Sequence, residues 1–191
     1  MMYVEDCICG LYPKLDLSTR VALVLHRRET HKPTNTGRLA ELSMEGTRRF
    51  VRGHQDAPVD LREVLDERRR TWLLFPREDA QVVTSAMVEE DDRPITLVVP
   101  DGTWPQARRC VRREPVLAAL PCVLPPPGAP TRYRLRKEHV EGGLATFEAI
   151  ARVLGVVEGE AVQARLEAWF EAMVERMLAR RPPGPPPSLI P

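Results

Sequence analysis

The fold of this chain is decided by one stretch, residues 95–109, which has the sequence ITLVVPDGTWPQARR. An apolar run of the β type, residues 95–99, stops at Pro100, and a polar turn and a helix-compatible run rich in arginine follow. In an open α/β sheet, ligands bind beyond the carboxyl ends of the strands. The order of strand, polar turn and helix therefore predicts that Asp101, Thr103 and Trp104 lie where chemistry is done.

A purely structural interpretation of the same turn is open. Asp and Gly are common turn residues, and Thr103 is a suitable cap for the next helix. Trp104 at the edge of the turn, followed by arginines at 108, 109, 112 and 113, favours a functional role.

Working outward, apolar periodicity predicts strands that alternate with helices. Strands are expected at 20–26, 71–75, 95–99 and 122–124, with a short extended piece at 133–137. Helices are expected at 38–44, 59–70, 104–120 with a break at Pro115, 145–154 and 160–180. This pattern predicts an α/β fold, a mostly parallel sheet flanked by helices. The expected organisation is a short amino-terminal segment (1–19), one α/β domain (20–180) and a proline-rich disordered tail (181–191).

Charge is balanced over the whole chain and concentrated locally. The 191 residues carry 28 basic and 27 acidic side chains, so the net charge of +1 does not indicate whether the protein binds nucleic acid. Residues 101–115 hold four arginines against two carboxylates, and residues 131–139 hold four cations against one. Such clusters beside the polar motifs are typical of a surface that binds a polyanion, or of an ordinary solvated helix.

Several classes of protein are disfavoured. The first ten residues contain Glu5 and Asp6 and no apolar leader, and no apolar run reaches the roughly 20 residues that span a bilayer. We therefore expect a cytoplasmic protein with reduced thiols, and no obligate protein partner is evident. The absence of a Gly-x-Gly-x-x-Gly or Walker-type sequence argues against a dinucleotide or nucleoside-triphosphate site.

Other polar residues follow the predicted strands. His26 ends the first strand and is either a base or a structural histidine. Asn35 lies in the tight turn Asn35-Thr36-Gly37, which suits a polar ligand or a helix start. Thr146 and Glu148 follow a pair of glycines, and either bond a ligand or begin a helix.

The cysteines give a weak signal for metal. Cys7 and Cys9 are separated by one residue, and Cys110 and Cys122 are distant in sequence. A structural zinc site needs four ligands, which two cysteines do not supply.

Several motifs occur together in a fixed order between about residues 7 and 154. They are His26-x-x-Glu29 with Asn35-Thr36-Gly37, Leu74-Phe75-Pro76, Asp101-Gly102-Thr103-Trp104-x-x-Ala107, Tyr133-x-Leu135-Arg136-Lys137 and Thr146-x-Glu148-Ala149. This set resembles the DTW-domain family, named for its Asp-x-Thr-Trp motif. Several motifs in order are far more specific than any one of them.

The resemblance implies a tRNA-uridine aminocarboxypropyltransferase, which moves the 3-amino-3-carboxypropyl group of S-adenosylmethionine to N3 of a tRNA uridine. It also implies a fold related to the SPOUT methyltransferases, whose carboxyl-terminal part is knotted. Relatives often carry a Cys-x-x-Cys pair before a Cys-x-Cys. Only Cys7-x-Cys9 is present here, so we expect no stoichiometric zinc unless an upstream start completes the site.

The chemistry of this reaction leads us to expect roles for individual residues. Asp101 is the candidate base, and Trp104 is expected to stack on a base of the RNA. The catalytic candidates are Asp101, Thr103 and Trp104, and the cofactor is expected to contact Leu74, Phe75, Pro76, Pro100, Asp101, Gly102, Leu135, Thr146 and Glu148, mainly through backbone groups. The candidate RNA-binding residues are His26, Asn35, Arg108, Arg136 and Lys137, of which the three cationic residues 108, 136 and 137 would bind either tRNA phosphate or the methionine carboxylate. No residue is assigned to a metal.

Two alternatives remain at this point. A SPOUT-type RNA methyltransferase would use the same cofactor but transfer its methyl group. A non-catalytic RNA-binding module would bind tRNA in a salt-dependent way without binding the cofactor. The recurrence of polar motifs after three separate strands favours an enzyme.

Overall fold

A computed structural model describes residues 10–32, 35–54, 56, 59–135 and 143–179. The six strands are β1 (Arg20–His26), β2 (Arg48–Arg52), β3 (Arg70–Leu74), β4 (Gln81–Val82), β5 (Ile95–Asp101) and β6 (Cys122–Leu124). The helices are α1 (Arg38–Ser43), α2 (Ser85–Glu89), α3 (Trp104–Arg113), α4 (Pro115–Ala118), α5 (Thr146–Val157) and α6 (Glu160–Ala179), with short 3-10 helices at Arg27–Glu29 and Leu61–Val64.

The strands form one parallel sheet in the order β2-β1-β5-β3-β6-β4. Strand β5 lies between β1 and β3, with Leu25 opposite Asp101 and Leu73 opposite Val98. Every residue of β5 is buried, as expected for a central strand that is covered on both faces. The α/β fold with a parallel sheet is thus confirmed.

Apolar layers cover both faces of the sheet. On one face, α5 and α6 contribute Phe147 and Phe170, whose rings stack with centroids 5.6 Å apart. On the other face, α3 and α4 contribute Ala107, Cys110 and Leu117. Burying one large apolar side chain stabilises a fold by about 1.5–3 kcal/mol, so both layers contribute strongly to the stability of the domain.

The described part of the amino-terminal segment, residues 10–19, packs against this domain. Leu15 is buried in the first core and forms a bridge with Met44, which follows α1. The proline-rich tail predicted at 181–191, and residue 180, lie outside the described residues.

Most predicted elements are confirmed within a few residues. The strands at 20–26 and 122–124 have the predicted bounds, and the strand predicted at 71–75 is β3. Pro115 interrupts the helix predicted at 104–120, which divides into α3 and α4. The helix predicted at 160–180 is α6, and its residues Leu166, Trp169 and Met173 are buried.

Three predictions of local structure are wrong. The helix predicted at 59–70 is only the 3-10 turn Leu61–Val64, because β3 must begin at Arg70 to pair with Ile95. Strand β5 does not stop at Pro100 but includes it and Asp101. Beyond Val98 the register pairs continue with β1 alone, so a proline without an N–H is tolerated there.

The third concerns the extended piece predicted at 133–137. The chain turns at Arg134 and Leu135, where the Arg134 N–H donates to the Arg132 carbonyl at 2.9 Å; residues 136–142 lie outside the described residues. The relation to the SPOUT fold and its knot stays a prediction. Among the described residues, no helix combines the length and the apolarity needed to pass through a bilayer.

Candidate active site

The loops with polar motifs lie at one edge of the sheet. Because all strands are parallel, β1, β5 and β3 end at the same edge, at His26, Asp101 and Leu74. The chain leaves β1 toward β2 on one side and leaves β5 toward β6 on the other. Adjacent strands with connections in opposite directions leave a crevice between their carboxyl ends, where α/β proteins bind ligands. The crevice between β1 and β5 is therefore the candidate active site.

Asp101 is the centre of a hydrogen-bond network in this crevice. Its side chain is buried, with 6% of the residue exposed. The Asn35 amide Nδ2 donates to its Oδ2 at 2.6 Å, and the Thr146 hydroxyl donates to its Oδ1 at 2.8 Å. These bonds join the turn before α1, the end of β5 and the start of α5. The two donors bond different oxygens of the carboxylate, so the network fixes the orientation of the Asp101 side chain.

Two glycines allow close packing around this site. A Cβ on Gly37 would lie 2.6 Å from Asp101 Oδ2, a distance that real Cβ atoms do not tolerate. Gly102 has a φ of +145°, which L side chains rarely adopt, and its Cβ would lie 2.8 Å from Gln106 Oε1. That same oxygen accepts from the Thr103 N–H at 2.7 Å and caps α3. Thr103 itself is exposed and holds the start of the helix.

A second carboxylate, Glu29, is buried beside the first. Only 1% of it is exposed, and the Lys32 ammonium pairs with it at 2.6 Å. A cavity of about 10 Å³ lies among Glu29, Asn35 and Asp101, large enough for at most one water molecule. The sequence identified Glu29 only as part of a motif. A glutamate three residues after a buried strand and three before a lysine was the signal available.

An aromatic pair lies just beyond the ends of β3 and β5. The rings of Phe75 and Trp104 lie with centroids 6.4 Å apart, and Trp104 is half-buried at the first position of α3. Leu74 points into the core, while Pro76 is exposed. The Phe75 N–H donates to the Val123 carbonyl at 3.2 Å, which fixes this loop against β6.

Glu148 ties a distant loop to α5. Its Oε2 accepts from the Thr131 hydroxyl at 2.5 Å and the Ala145 N–H at 2.9 Å, and its Oε1 accepts from the Arg132 N–H at 2.7 Å. Leu135, a few residues later, is half-buried against the core. Both Glu148 oxygens thus bond the chain itself.

The candidate RNA-binding residues are distributed around the crevice. His26 Nδ1 accepts from the Arg28 N–H at 3.2 Å, and its ring faces Gly53. Burial, followed by the charges of Arg28, Arg27 and Arg52, lowers the pKa of His26, so it is neutral at pH 7. Arg108 is exposed on α3. Arg136 and Lys137 lie outside the described residues.

The structure thus brings Asn35, Asp101 and Thr146 into direct contact, and Phe75 into contact with Trp104. Arg132, in the second basic cluster, is engaged in an ion pair with Glu171. The described ranges contain no group of three or more His, Cys, Asp or Glu residues arranged for a metal, and Cys7 and Cys9 lie outside those ranges. Cys110 and Cys122 are buried free thiols, and burial raises the pKa of both.

Comparison with known proteins agrees with the family that the sequence motifs indicate. The chain is 30% identical over 162 residues to tRNA-uridine aminocarboxypropyltransferase 2 of Drosophila melanogaster, an alignment that covers 81% of this chain and 63% of the relative. It is 23% identical over 158 residues to the protein of the same name in Mus musculus, covering 80% of this chain and 53% of the relative. The chain thus spans between half and two thirds of the length of these relatives. No solved structure matches it. The model of the DTW domain matches residues 1–178, and the chain therefore belongs to the DTW domain family.

Proposed function

We propose that this protein transfers the 3-amino-3-carboxypropyl group of S-adenosylmethionine to N3 of a uridine in tRNA. The proposal is supported by membership of the DTW family and by the names of two relatives, both tRNA-uridine aminocarboxypropyltransferase 2. The observation that carries it is the network of Asn35, Asp101 and Thr146 in the crevice between β1 and β5. Three motifs that are distant in sequence meet there around one buried carboxylate.

The residues at this edge fit the proposed donor. The buried carboxylate of Glu29, which lies beside Asp101, suits a ligand that carries a sulfonium and an ammonium group. Glycine at 102 lets the backbone approach a ligand closely. We propose that the donor lies along the backbone at the carboxyl ends of β3 and β5, residues 74–76 and 100–102, and along that of Leu135. When bound, S-adenosylmethionine supplies a carbon attached to sulfonium sulfur, which is a good leaving group.

Thr146 and Glu148 would support the donor indirectly. Thr146 orients Asp101, and Glu148 holds the segment that leads to Leu135. Both residues are therefore proposed as positioning residues at the start of α5 rather than as direct contacts.

In the proposed reaction, uridine N3 attacks the carbon on sulfur. The N3–C bond forms as the C–S bond breaks, the electron pair stays on sulfur, and the N3 proton leaves. Asp101 is proposed to accept that proton, because it is the carboxylate fixed at the end of β5. Trp104 is proposed to stack on the uracil ring, a contact worth about 1–3 kcal/mol in comparable complexes. Thr103 maintains the start of α3 and hence the position of the indole.

The cellular setting belongs to the same proposal. Cys110 and Cys122 are buried thiols that form no disulfide, as is usual in a reducing compartment such as the cytoplasm.

The proposal is tested with unmodified tRNA and S-adenosylmethionine labelled in the carboxypropyl carbons. Digestion and nucleoside mass spectrometry should show a uridine that carries the label and the mass of the whole amino acid group. A product that gains only a methyl group would identify an RNA methyltransferase. Bound but unmodified tRNA, without cofactor binding, would identify an RNA-binding module. Either result overturns the proposal.

Asp101→Asn tests the assignment of the base. The amide keeps the shape but removes the charge, so single-turnover transfer should fall about 10²-fold or more, the range of a positioned general base. Binding of S-adenosylmethionine, measured by calorimetry, should persist. Asp16→Asn, at an exposed aspartate, is the control and should transfer normally. Near-normal transfer by Asp101→Asn would place the base elsewhere, and loss of both properties would make Asp101 a donor-binding residue.

A further inference from the structure

Four arginines share the exposed side of α3. Arg108, Arg109, Arg112 and Arg113 have helical spacing that places them on one side, and all are exposed. The opposite side of the helix, with Ala107, Cys110 and Val111, is buried in the core. The helix contains no acidic residue. Within the ranges that the structure describes, none of the four arginines forms an ion pair.

This arrangement differs from the rest of the surface. Eight arginines elsewhere in the described residues are neutralised by carboxylates. They are Arg20, Arg48, Arg49, Arg52, Arg62, Arg77, Arg93 and Arg132. Because the whole chain carries a net charge of only +1, the arginines of α3 create a local positive field that the composition does not reveal.

Helix α3 crosses the carboxyl edge of the sheet. Its first residue, Trp104, contacts Phe75 after β3, and Glu114, immediately after its end, pairs with Arg52 at the end of β2. The helix therefore extends from the end of β3 past β5 and β1 to the end of β2, in sheet order. Its arginines therefore lie on the exposed side of a helix that runs along the carboxyl edge of the sheet, the edge at which Asp101 ends β5.

Two further arginines extend the same surface. Arg27 and Arg28 directly follow β1, are exposed, and form no ion pair with any described residue. Their 3-10 helix lies next to α3, since Glu29 Cγ is 3.5 Å from where a Cβ on Gly102 would stand, and Gln106 of α3 borders that glycine on another side. We define the arginine face as Arg27, Arg28, Arg108, Arg109, Arg112 and Arg113.

We propose that the arginine face binds the phosphate backbone of the RNA substrate and delivers a base to Trp104. This inference rests on the proposed function and identifies the surface that its substrate contacts. Guanidinium groups match phosphate oxygens in a bidentate geometry, and each neutralised phosphate releases counterions. A row of exposed arginines that ends at a half-buried indole suits a strand whose backbone follows α3 and whose target base enters the crevice.

The test measures the binding of an unmodified tRNA transcript as a function of salt for three double variants. These are Arg108→Gln with Arg109→Gln, Arg112→Gln with Arg113→Gln, and Arg27→Gln with Arg28→Gln. Each lost phosphate contact should weaken binding and reduce the slope of log K against log salt by about 1, hence by about 2 for a pair. The control is Arg20→Gln with Arg68→Gln, at the opposite edge of the sheet, which should bind as the unmodified protein does.

A charge-preserving pair, Arg108→Lys with Arg109→Lys, should retain most of the salt dependence. Melting curves establish that each variant is folded. Calorimetry measures the affinity for S-adenosylmethionine, which should not depend on the arginine face. If the folded Gln variants bind tRNA with normal affinity and slope, the arginine face is wrong, whether or not transfer occurs. If they lose tRNA binding while the unmodified protein transfers nothing to tRNA, the arginine face stands and the proposed function fails. Equal loss in the Arg20 and Arg68 control would also overturn the inference, since it would reflect overall charge.

Discussion

At the scale of single residues, the candidate site needs a position without a side chain as well as positions with particular side chains. Gly37 has φ −60° and ψ −32°, angles that alanine adopts freely. A glycine is needed there only because Asp101 Oδ2 occupies the space of a Cβ. The tight turn predicted from Asn35-Thr36-Gly37 therefore brings the Asn35 amide and the Asp101 carboxylate into hydrogen-bond contact.

Gly37→Ala is predicted to damage both stability and activity. Alanine at an allowed backbone conformation normally stabilises a protein slightly, but here the added methyl forces the carboxylate aside, as in overpacked cores that lose about 1–3 kcal/mol. A displacement of about 1 Å at a reacting group costs roughly 10²-fold in rate. Urea unfolding and single-turnover transfer measure the two effects.

Gly10→Ala is the matched control for Gly37→Ala. No atom lies within 4 Å of a Cβ at Gly10, so unfolding and transfer should be unchanged. If the two variants behave alike, the Asp101 carboxylate has room to move and the proposed fit is incorrect.

Part of this site could be predicted from the polar residues in the sequence motifs. Asp101, Asn35 and Thr146 were all expected at the ligand edge, and the structure joins them by hydrogen bonds. The burial of Glu29 was not predicted, because one sequence gives no measure of how deeply a charged side chain lies. For Glu148 the sequence left two alternatives, binding a ligand or beginning a helix. The structure shows that Glu148 bonds its own chain, and its partners at residues 131–132 could be identified only from the fold.

At the scale of elements, strands and helices with a clear apolar pattern could be predicted from the sequence. Elements that are set by tertiary contacts could not. Strand β1 and helices α3, α5 and α6 follow from periodicity. The spacing of residues 59–70 favours a helix, but pairing of β3 with β5 ends it after one turn. Strands β2 and β4 were missed, since β2 is rich in arginine and β4 has only two residues, both exposed. Such edge strands are specified by their neighbours rather than by their own pattern.

The start of α5 gives a prediction for an element. In Glu148→Ala, the Arg132 and Ala145 N–H groups lose their acceptor, and a buried unsatisfied donor costs about 1–3 kcal/mol. The melting temperature should fall, and amide exchange at Arg132 and Ala145 should accelerate more than in the sheet. Glu160→Ala, at an exposed position at the start of α6, is the control. Unchanged exchange at Arg132 and Ala145 would contradict the proposed role of Glu148 in holding this loop.

At the scale of the whole molecule, one carboxylate joins the start of the sheet to the end of α5. Glu158 Oε1 accepts from the Ser18 hydroxyl at 2.7 Å and from the N–H and hydroxyl of Thr19, at 2.6 and 2.5 Å. Thr19 immediately precedes β1, so this cluster closes the domain across about 140 residues of sequence. It lies at the amino edge, opposite the candidate active site, and its loss should affect stability rather than transfer.

The charge of Glu158 predicts how stability depends on pH. Burial alone would raise its pKa, but the hydrogen bonds from Thr19 and Ser18 outweigh burial and hold the pKa below the ordinary value of 4.5. A carboxylate with a lowered pKa stabilises the fold fully above its unfolded pKa, and this stabilisation is lost as the pH falls through the folded value.

Glu158→Gln tests this dependence because it keeps an acceptor but removes the charge. The variant should be less stable than the unmodified protein at pH 7, by about 1–3 kcal/mol for hydrogen bonds to a charged group. The difference in the free energy of unfolding should shrink as the pH falls below about 4.5. Urea unfolding between pH 7 and pH 3 measures it, with Glu175→Gln, at an exposed position of α6, as the control that should show little difference at any pH. A deficit that stays constant across this range would mean that packing, and not the carboxylate charge, accounts for the contribution of Glu158.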